Sequence, residues 1–270
     1  MPILHAVVLG VVQGLSEFLP VSSSGHLVLV RWLLGWDELT DEAATAFDVA
    51  VHVGTLTGAA AYLRADIRTY SAAALAPVFG DGPLRADGRV GWSLLVSAVP
   101  AGIAGVVAGE ALRGSQRIAV VALALIVFGL LLGASDRLPA RHELRDFGPA
   151  HALVMGLGQA LALQPGVSRS GAAITVARGL GYDRGAAVRL AFLMSLPVIA
   201  GAGAYGFAGL SIPSGLWPAL GWGAGAAMIT GWVSVWATVQ IVGRVSLRPF
   251  VAYRVLAGCL VLALAAAGLR

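Results

Sequence analysis

Six apolar runs, roughly 44–63, 91–110, 117–134, 188–209, 217–242 and 250–269, constrain this chain more than any other feature. Each is close to the ~20 residues that a helix needs to cross a bilayer. Lipid offers backbone amides no hydrogen bonds, so such runs must satisfy themselves as helices. Composition agrees: 58% of the residues are hydrophobic, 12% are charged and mean hydropathy is +0.83, whereas a soluble domain carries about 25% charge. The chain therefore reads as one all-α polytopic membrane domain over 1–270. Gly-Ala stretches such as GAAAY and GAGAAM predict close helix contacts, because small residues let backbones approach.

Two further apolar regions, 1–30 and 150–180, are broken in the middle by proline and serine. A break at membrane depth is tolerated only where protein or water covers it, so each region reads as two half-helices meeting at a turn. The two regions also resemble each other at one ungapped offset of 146. Gly10, Gln13, Leu15, Val21, Ser22, Ser24 and Gly25 match Gly156, Gln159, Leu161, Val167, Ser168, Ser170 and Gly171. A weaker echo links the runs that start near Phe47 and Leu190. Two repeat halves, about 1–135 and 147–270, are expected. If each broken region returns to its own side, three spans separate them, and the second must enter from the opposite face. The expected architecture is about six transmembrane helices plus two re-entrant helix pairs in an inverted repeat.

The arginines orient this scheme. All 18 basic residues are arginine and the net charge is +4, but they lie in short loops, which argues against a nucleic-acid partner. Arg31, Arg113, Arg117 and Arg270 fall on the side of the termini. Arg64, Arg68, Arg85, Arg89, Arg137, Arg141, Arg145, Arg178, Arg184, Arg244 and Arg248 fall on the other. Four against eleven places both termini, and the mouth of the first broken motif, away from the cytoplasm. The lone Cys259 excludes an internal disulfide. The N-terminal run has no basic flank and no small-residue cleavage site, so it is not read as a signal peptide.

Ionisable residues inside membrane segments are functional candidates. Here they are Glu17, His26, Asp48, His52 and Arg169, with Glu110 near a span end. In ALQPGVSRSGAAI (161–173), Pro165 and Gly166 make a turn just ahead of a helix start, with Arg169 between Ser168 and Ser170. Amides at a helix N-terminus, hydroxyls and a guanidinium form an anion site, above all for phosphate. The turn after Pro20 offers a second half-helix start near Ser22. Two facing half-helix N-termini suit a pyrophosphate, and a carboxylate and a histidine beside it suit proton transfer or metal binding. The structural alternatives stand beside this. Ser16 and Ser97 are expected to bond their own helix backbone, Glu17 and Arg169 could form only an ion pair, and Asp48 and His52 could simply pack. His5, His142 and His151 read as interface or loop residues.

EFLPVSSSGH together with PGVSRSG, in this order, resembles the undecaprenyl-pyrophosphate phosphatase family, the bacitracin-resistance proteins of bacterial envelopes. The resemblance extends through FDVAVHVGTLTGAAAY (47–62) and FLMSLP (192–197). It implies hydrolysis of the lipid carrier undecaprenyl pyrophosphate to the monophosphate for cell-wall synthesis, in the bacterial inner membrane, at a site open to its outer face. Bacitracin would compete for that lipid, and a homodimer is left open. The family's catalytic positions fall on Glu17, Ser23, His26 and Arg169. Gln13, Ser22, Ser24, Gly166, Ser168 and Ser170 would contact substrate. A divalent cation, Mg2+ or Ca2+, is also implied, with Glu17 and Gln13 as its ligands. The family often has Glu where this chain has Gln13, so one ligand charge is missing. Attack is expected from Ser23 with His26 as base, the alternative being a water activated by Glu17 and His26. The rival reading is a lipid-phosphate transporter or flippase using the same anion site, since broken helices in inverted repeats are transporter architecture. A purely structural membrane subunit is the weakest reading, given the cost of the buried charges.

Overall fold

The structure is a computed structural model. It describes residues 1–36, 39–80, 82–113, 117–208, 212–242 and 245–268, with residues 108–113 in backbone alone. The expectations attached to the side chains of Glu110, Arg113, Arg244 and Arg270 therefore lie outside what is described. Twelve α-helices follow one another among the described residues. They are α1 (Ile3–Phe18), α2 (Ser23–Leu34), α3 (Asp41–Tyr62), α4 (Arg64–Leu75), α5 (Ala86–Val96) and α6 (Ala98–Arg113). The chain continues with α7 (Ile118–Ser135), α8 (Pro149–Leu161), α9 (Arg169–Gly179), α10 (Arg184–Ala208), α11 (Trp217–Val242) and α12 (Arg248–Ala266). Beyond helices, one isolated bridge is found among the described residues, between His142 and Tyr182.

Among the described residues, five stretches are long and apolar enough to span a bilayer: Ala86–Val107, Ile118–Ser135, Arg184–Ala208, Ser214–Val242 and Arg248–Ala266. α3 and its continuation make a sixth, bent by 79° where α4 begins. The six expected runs are all present, and the sequence reading missed only α4. Its opening residues Arg64, Asp66 and Arg68 cannot follow α3 on through lipid, and Asp66 pairs instead with Arg189 of α10 at 2.7 Å. The expected run 91–110 starts earlier, at Ala86, and is interrupted at Ser97, whose hydroxyl donates to the Leu94 carbonyl at 2.7 Å.

Close packing is concentrated on α11, which lies along both α1 and α3. A Cβ at Gly14 of α1 would collide with Thr230, and one at Gly58 of α3 with the Met228 carbonyl. Backbone therefore meets backbone on both sides of α11, as the Gly-Ala stretches predict. The pattern recurs with the partners exchanged: α5 and α6 pack on α8 and α10, while α7 packs on α12. Each half's later helices thus cover the other half's broken pair. The main core gathers around α10, where Phe192 meets Phe18 edge-on at 5.1 Å. A second core joins α1, α3 and α11. The two breaks, at Leu19–Ser22 and Ala162–Ser168, meet tip to tip inside the bundle.

Candidate active site

The two breaks are built alike. Ser22 and Ser168 precede α2 and α9, and among the described residues they are the two non-glycines with positive φ, 76° and 74°. Such backbone costs about 1–3 kcal/mol each and persists where surroundings over-determine it. Each serine hydroxyl accepts from the amide three residues on, Gly25 N at 3.3 Å and Gly171 N at 3.0 Å, which starts the half-helix. Ser22 Oγ also accepts from Gly166 N at 3.1 Å, and Ser170 Oγ donates to the carbonyls of Glu17 (3.2 Å) and Leu19 (3.0 Å). Gly166 has φ 97°, and a Cβ there would collide with the Val121 carbonyl. The hydroxyls of Ser22, Ser168 and Ser170 and the backbone of Gly166 are thus engaged in holding the two turns together.

Arg254 of α12 completes the joint. It is fully buried and donates to Pro20 O (3.1 Å) in the first turn, and to Gly166 O (3.0 Å) and Val167 O (2.9 Å) in the second. A further bond reaches Leu125 O of α7 at 3.2 Å. The sequence reading missed it, although an arginine inside the apolar run 250–269 carries the same signal as Arg169.

Glu17, at the end of α1, is 5% exposed and is the hub of the polar cluster. Its Oε2 accepts from Ser23 Oγ at 2.5 Å and from Gln13 Nε2 at 2.8 Å, and His52 Nε2 lies 3.4 Å away. Arg169 NH1 approaches Oε1 to 3.9 Å and is itself buried without a hydrogen-bond partner. One carboxylate therefore faces a hydroxyl, an amide, an imidazole and a guanidinium. His52 is oriented by its other nitrogen, 2.6 Å from the Asp48 carbonyl, and Asp48 is paired with Arg31 of α2. Of the two readings left open for His52, the geometry places it at the cluster.

His26 stands apart from this group. Its Nδ1 lies 2.7 Å from the Ser22 carbonyl, and its Nε2 lies 2.5 Å from the Tyr253 hydroxyl of α12, on whose ring it stacks. With Nδ1–H donating to Ser22, Nε2 accepts from Tyr253. The pairing of Ser23 with His26 as base is not the one found here, because Ser23 donates to Glu17. Ser16 and Ser97 bond backbone carbonyls of their own helical segments, as expected.

A cavity of about 240 Å³ opens in front of Arg169 and His52, with Ser24, Asp48 and Pro165 on its walls. It is flanked by the first half of α3 and the last half of α10, and so opens at the end of the bundle where the chain starts. The Ser24 hydroxyl makes no hydrogen bond among the described residues, which leaves it free to face a ligand. Among the described residues no three His, Cys, Asp or Glu side chains converge on one point. The oxygens on offer to a cation are the Glu17 carboxylate and Gln13 Oε1, which is buried and accepts no hydrogen bond. Hard cations take oxygen donors, and Mg2+ is typically held by one or two carboxylates plus substrate phosphates rather than by an all-protein cage. The donor set fits that arrangement.

Residues 6–260 match the family described as bacitracin resistance protein BacA. A protein of Geobacter metallireducens named undecaprenyl-diphosphatase is 44% identical over 265 residues, covering 96% of this chain and 97% of its own. A Geobacter sulfurreducens protein of the same name is 44% identical over 271 residues, with 97% and 98% covered. One from Teredinibacter turnerae, also so named, is 40% identical over 264 residues, with 96% and 98% covered. Likeness of this extent settles the kinship: the chain belongs to the bacitracin resistance protein BacA family.

Proposed function

We propose that this chain is an undecaprenyl-diphosphatase, hydrolysing undecaprenyl pyrophosphate to undecaprenyl phosphate and inorganic phosphate and so recycling the carrier for cell-wall synthesis. One observation carries the reading at the level of chemistry. A serine hydroxyl donates to a buried carboxylate at 2.5 Å, beside a guanidinium with a free buried N–H that also lines a cavity. A translocator needs an anion site but neither a nucleophile nor a base, and the relatives' names point the same way.

In the mechanism this geometry supports, Ser23 Oγ attacks the terminal phosphorus as its proton passes to Glu17 Oε2. The bond from phosphorus to the bridging oxygen breaks and undecaprenyl phosphate leaves. Glu17 passes the proton it took from Ser23 on to solvent. Water then attacks the phosphoserine, with Glu17 taking one of its protons. The bond from phosphorus to Ser23 Oγ breaks, Glu17 returns the proton to Ser23 Oγ, and inorganic phosphate is released. Gln13 holds the carboxylate in line with Ser23, with His52 beside it, which is the orientation a positioned base requires. Arg169, at the first position of α9, stabilises charge on the transferring phosphoryl group together with the amides of the half-helix. His26, turned towards Tyr253, takes no proton from Ser23 in this arrangement. A divalent cation would be held by Glu17, Gln13 Oε1 and the substrate's phosphates. When bound it would neutralise phosphate charge.

Helix order puts the cavity on the same end of the bundle as both termini, opposite the eleven arginines. Positive-inside bias then supports a site facing the outer side of the inner membrane. The matched caps at Ser22 and Ser168 support reading 1–135 and 147–270 as copies of one unit. The test is phosphate release from the C55 pyrophosphate by purified protein, with and without EDTA, against Glu17→Gln. Lack of turnover in folded wild-type protein, with or without added Mg2+ or Ca2+, would reject the enzyme reading.

A further inference from the structure

The larger opening in the molecule lies elsewhere. A cleft of about 850 Å³ is walled by the end of α7, the end of α9 and the starts of α10 and α12. Arg184 at one end of α10 and Ile199 near the other line the two openings. Fifteen helical residues separate them, about 22 Å along the axis. The cleft is therefore a separate feature at the opposite end of the bundle from the catalytic cavity.

Four guanidinium groups line it, from Arg137, Arg178, Arg184 and Arg248, against two carboxylates, Asp136 and Asp183. Both carboxylates are committed to the protein. Asp136 is chelated by Arg184 at 2.6 and 3.1 Å and accepts from Leu247 N, while Asp183 caps the Ala186 amide at 2.9 Å. Arg178 is 4% exposed, its terminal nitrogens donate to the carbonyls of Tyr182, Asp136 and Leu138, and its Nε is buried with no acceptor. The side chains of Arg137 and Arg248 make no hydrogen bond or ion pair among the described residues. α12 opens at Arg248 with no side chain capping its first turn. The cleft thus keeps two units of positive charge in excess and leaves cationic donors unsatisfied.

The side walls differ in character. Val251, Ala252 and Val255 of α12 face the cleft, and Ala252, Leu256 and Leu260 follow at intervals of four along one helical face. Leu256 is 70% and Leu260 60% exposed. An apolar ridge therefore runs from the basic cleft into the hydrocarbon, which a free ion would not need and an acyl chain would cover. Basic pockets between membrane helices are a recurrent place for anionic lipid headgroups.

We propose that this cleft binds the phosphodiester headgroup of an anionic phospholipid, held by Arg137 and Arg248 at the rim with Arg178 and Arg184 behind, its acyl chain lying along the α12 ridge. The site is distinct from the catalytic cavity, and its test does not depend on the catalytic reading. Full-length protein in neutral detergent is titrated with phosphatidylglycerol, phosphatidylcholine or inorganic phosphate, following the melting temperature and the lipid retained in native mass spectrometry. Phosphatidylglycerol should bind in a 1:1 adduct and raise the melting temperature; the other two should do neither. In Arg137→Gln/Arg248→Gln the lipid's affinity should fall roughly thirtyfold, while turnover and the lipid-free melting temperature stay at wild type. Equal binding of phosphatidylcholine, equal protection by inorganic phosphate, or unchanged phosphatidylglycerol affinity in the double variant would each overturn the proposal.

Discussion

Ser23 and Glu17 are joined by one short hydrogen bond, and the mechanism treats them as a single device. That makes a double-mutant cycle the sharpest test. Glu17→Gln keeps the side chain's size and leaves an oxygen to accept from Gln13 or Ser23, but it removes the base and the counter-charge that His52 (3.4 Å) and Arg169 (3.9 Å) face. Losing a positioned base costs about 10²–10⁴-fold, or roughly 2.7–5.5 kcal/mol in barrier. Ser23→Ala removes the nucleophile and should cost at least as much.

If the carboxylate acts only through the serine hydroxyl, the losses do not multiply. The double variant should then be no slower than Ser23→Ala alone to within about threefold, as expected of residues that act as a unit. The assay is release of inorganic phosphate from the C55 pyrophosphate by each purified variant, with melting temperature as the check on folding. Acid quenching of wild type with substrate labelled in the terminal phosphate should trap phosphoserine at Ser23. Two results would refute the reasoning. One is a Ser23→Ala enzyme that keeps more than about a tenth of the wild-type rate, a barrier change under ~1.4 kcal/mol. The other is a double variant whose loss is the product of the single losses, since Glu17 would then be working on something other than Ser23, such as a water.

Arg169→Lys keeps the charge but not the planar fork, so turnover should fall about a hundredfold in protein of normal stability; near-normal turnover would leave Arg169 a structural counter-ion. Arg254→Met should leave carbonyls of both turns unpaired and cost about 3 kcal/mol or more, lowering the melting temperature by roughly 6–12 °C. An unshifted melting temperature would remove it from the joint. Gly58→Val should destabilise by about 1–3 kcal/mol through collision with the Met228 carbonyl, whereas Gly102→Val, with open space around it, should be silent in the same melting assay. A C-terminal tag should be labelled on intact spheroplasts by an impermeant reagent; protection until permeabilisation would reverse the orientation.

What could be read in the chain follows from what is local. Spans, breaks and close-packed glycines depend on composition within a run of about 20 residues, so all six spans and both breaks are visible there. Glu17, Ser23 and Arg169 stand out because charge and hydroxyls in an apolar run are costly unless used. The rest depends on long-range partners. His26 meets Tyr253 across 227 residues, so its neighbourhood could not be inferred from EFLPVSSSGH. A serine that caps a helix and one that faces a ligand are the same letter; Ser22, Ser168 and Ser170 turn out to be fasteners, while Ser23 faces Glu17 and Ser24 the cavity. α4 was invisible because twelve residues of mixed polarity carry no spanning signal.

The offset of 146 that aligns the two breaks also explains how their chemistry divides. Ser23 and Arg169 are equivalent positions, the first residues of α2 and α9. Two half-helix starts brought tip to tip put those residues on either side of one small space. Were the halves identical, that space would hold two serines with no cation, or two arginines with no nucleophile. Glu17 would likewise face a second carboxylate from position 163, and paired carboxylates cannot both stay ionised at close range. In this chain position 163 is leucine and position 172, the counterpart of His26, is alanine. The scaffold needs both breaks alike, hence the shared serines at 22 and 168 with their strained φ. The proposed mechanism needs them unlike, drawing its nucleophile and base from one break and its phosphate-holding cation from the other. Exchanging the two first residues, in the double variant Ser23→Arg/Arg169→Ser, tests this. It keeps the same groups but parts the serine from Glu17, so the protein should fold and lose hydrolysis. Retained turnover would mean the base does not have to lie on the nucleophile's own half.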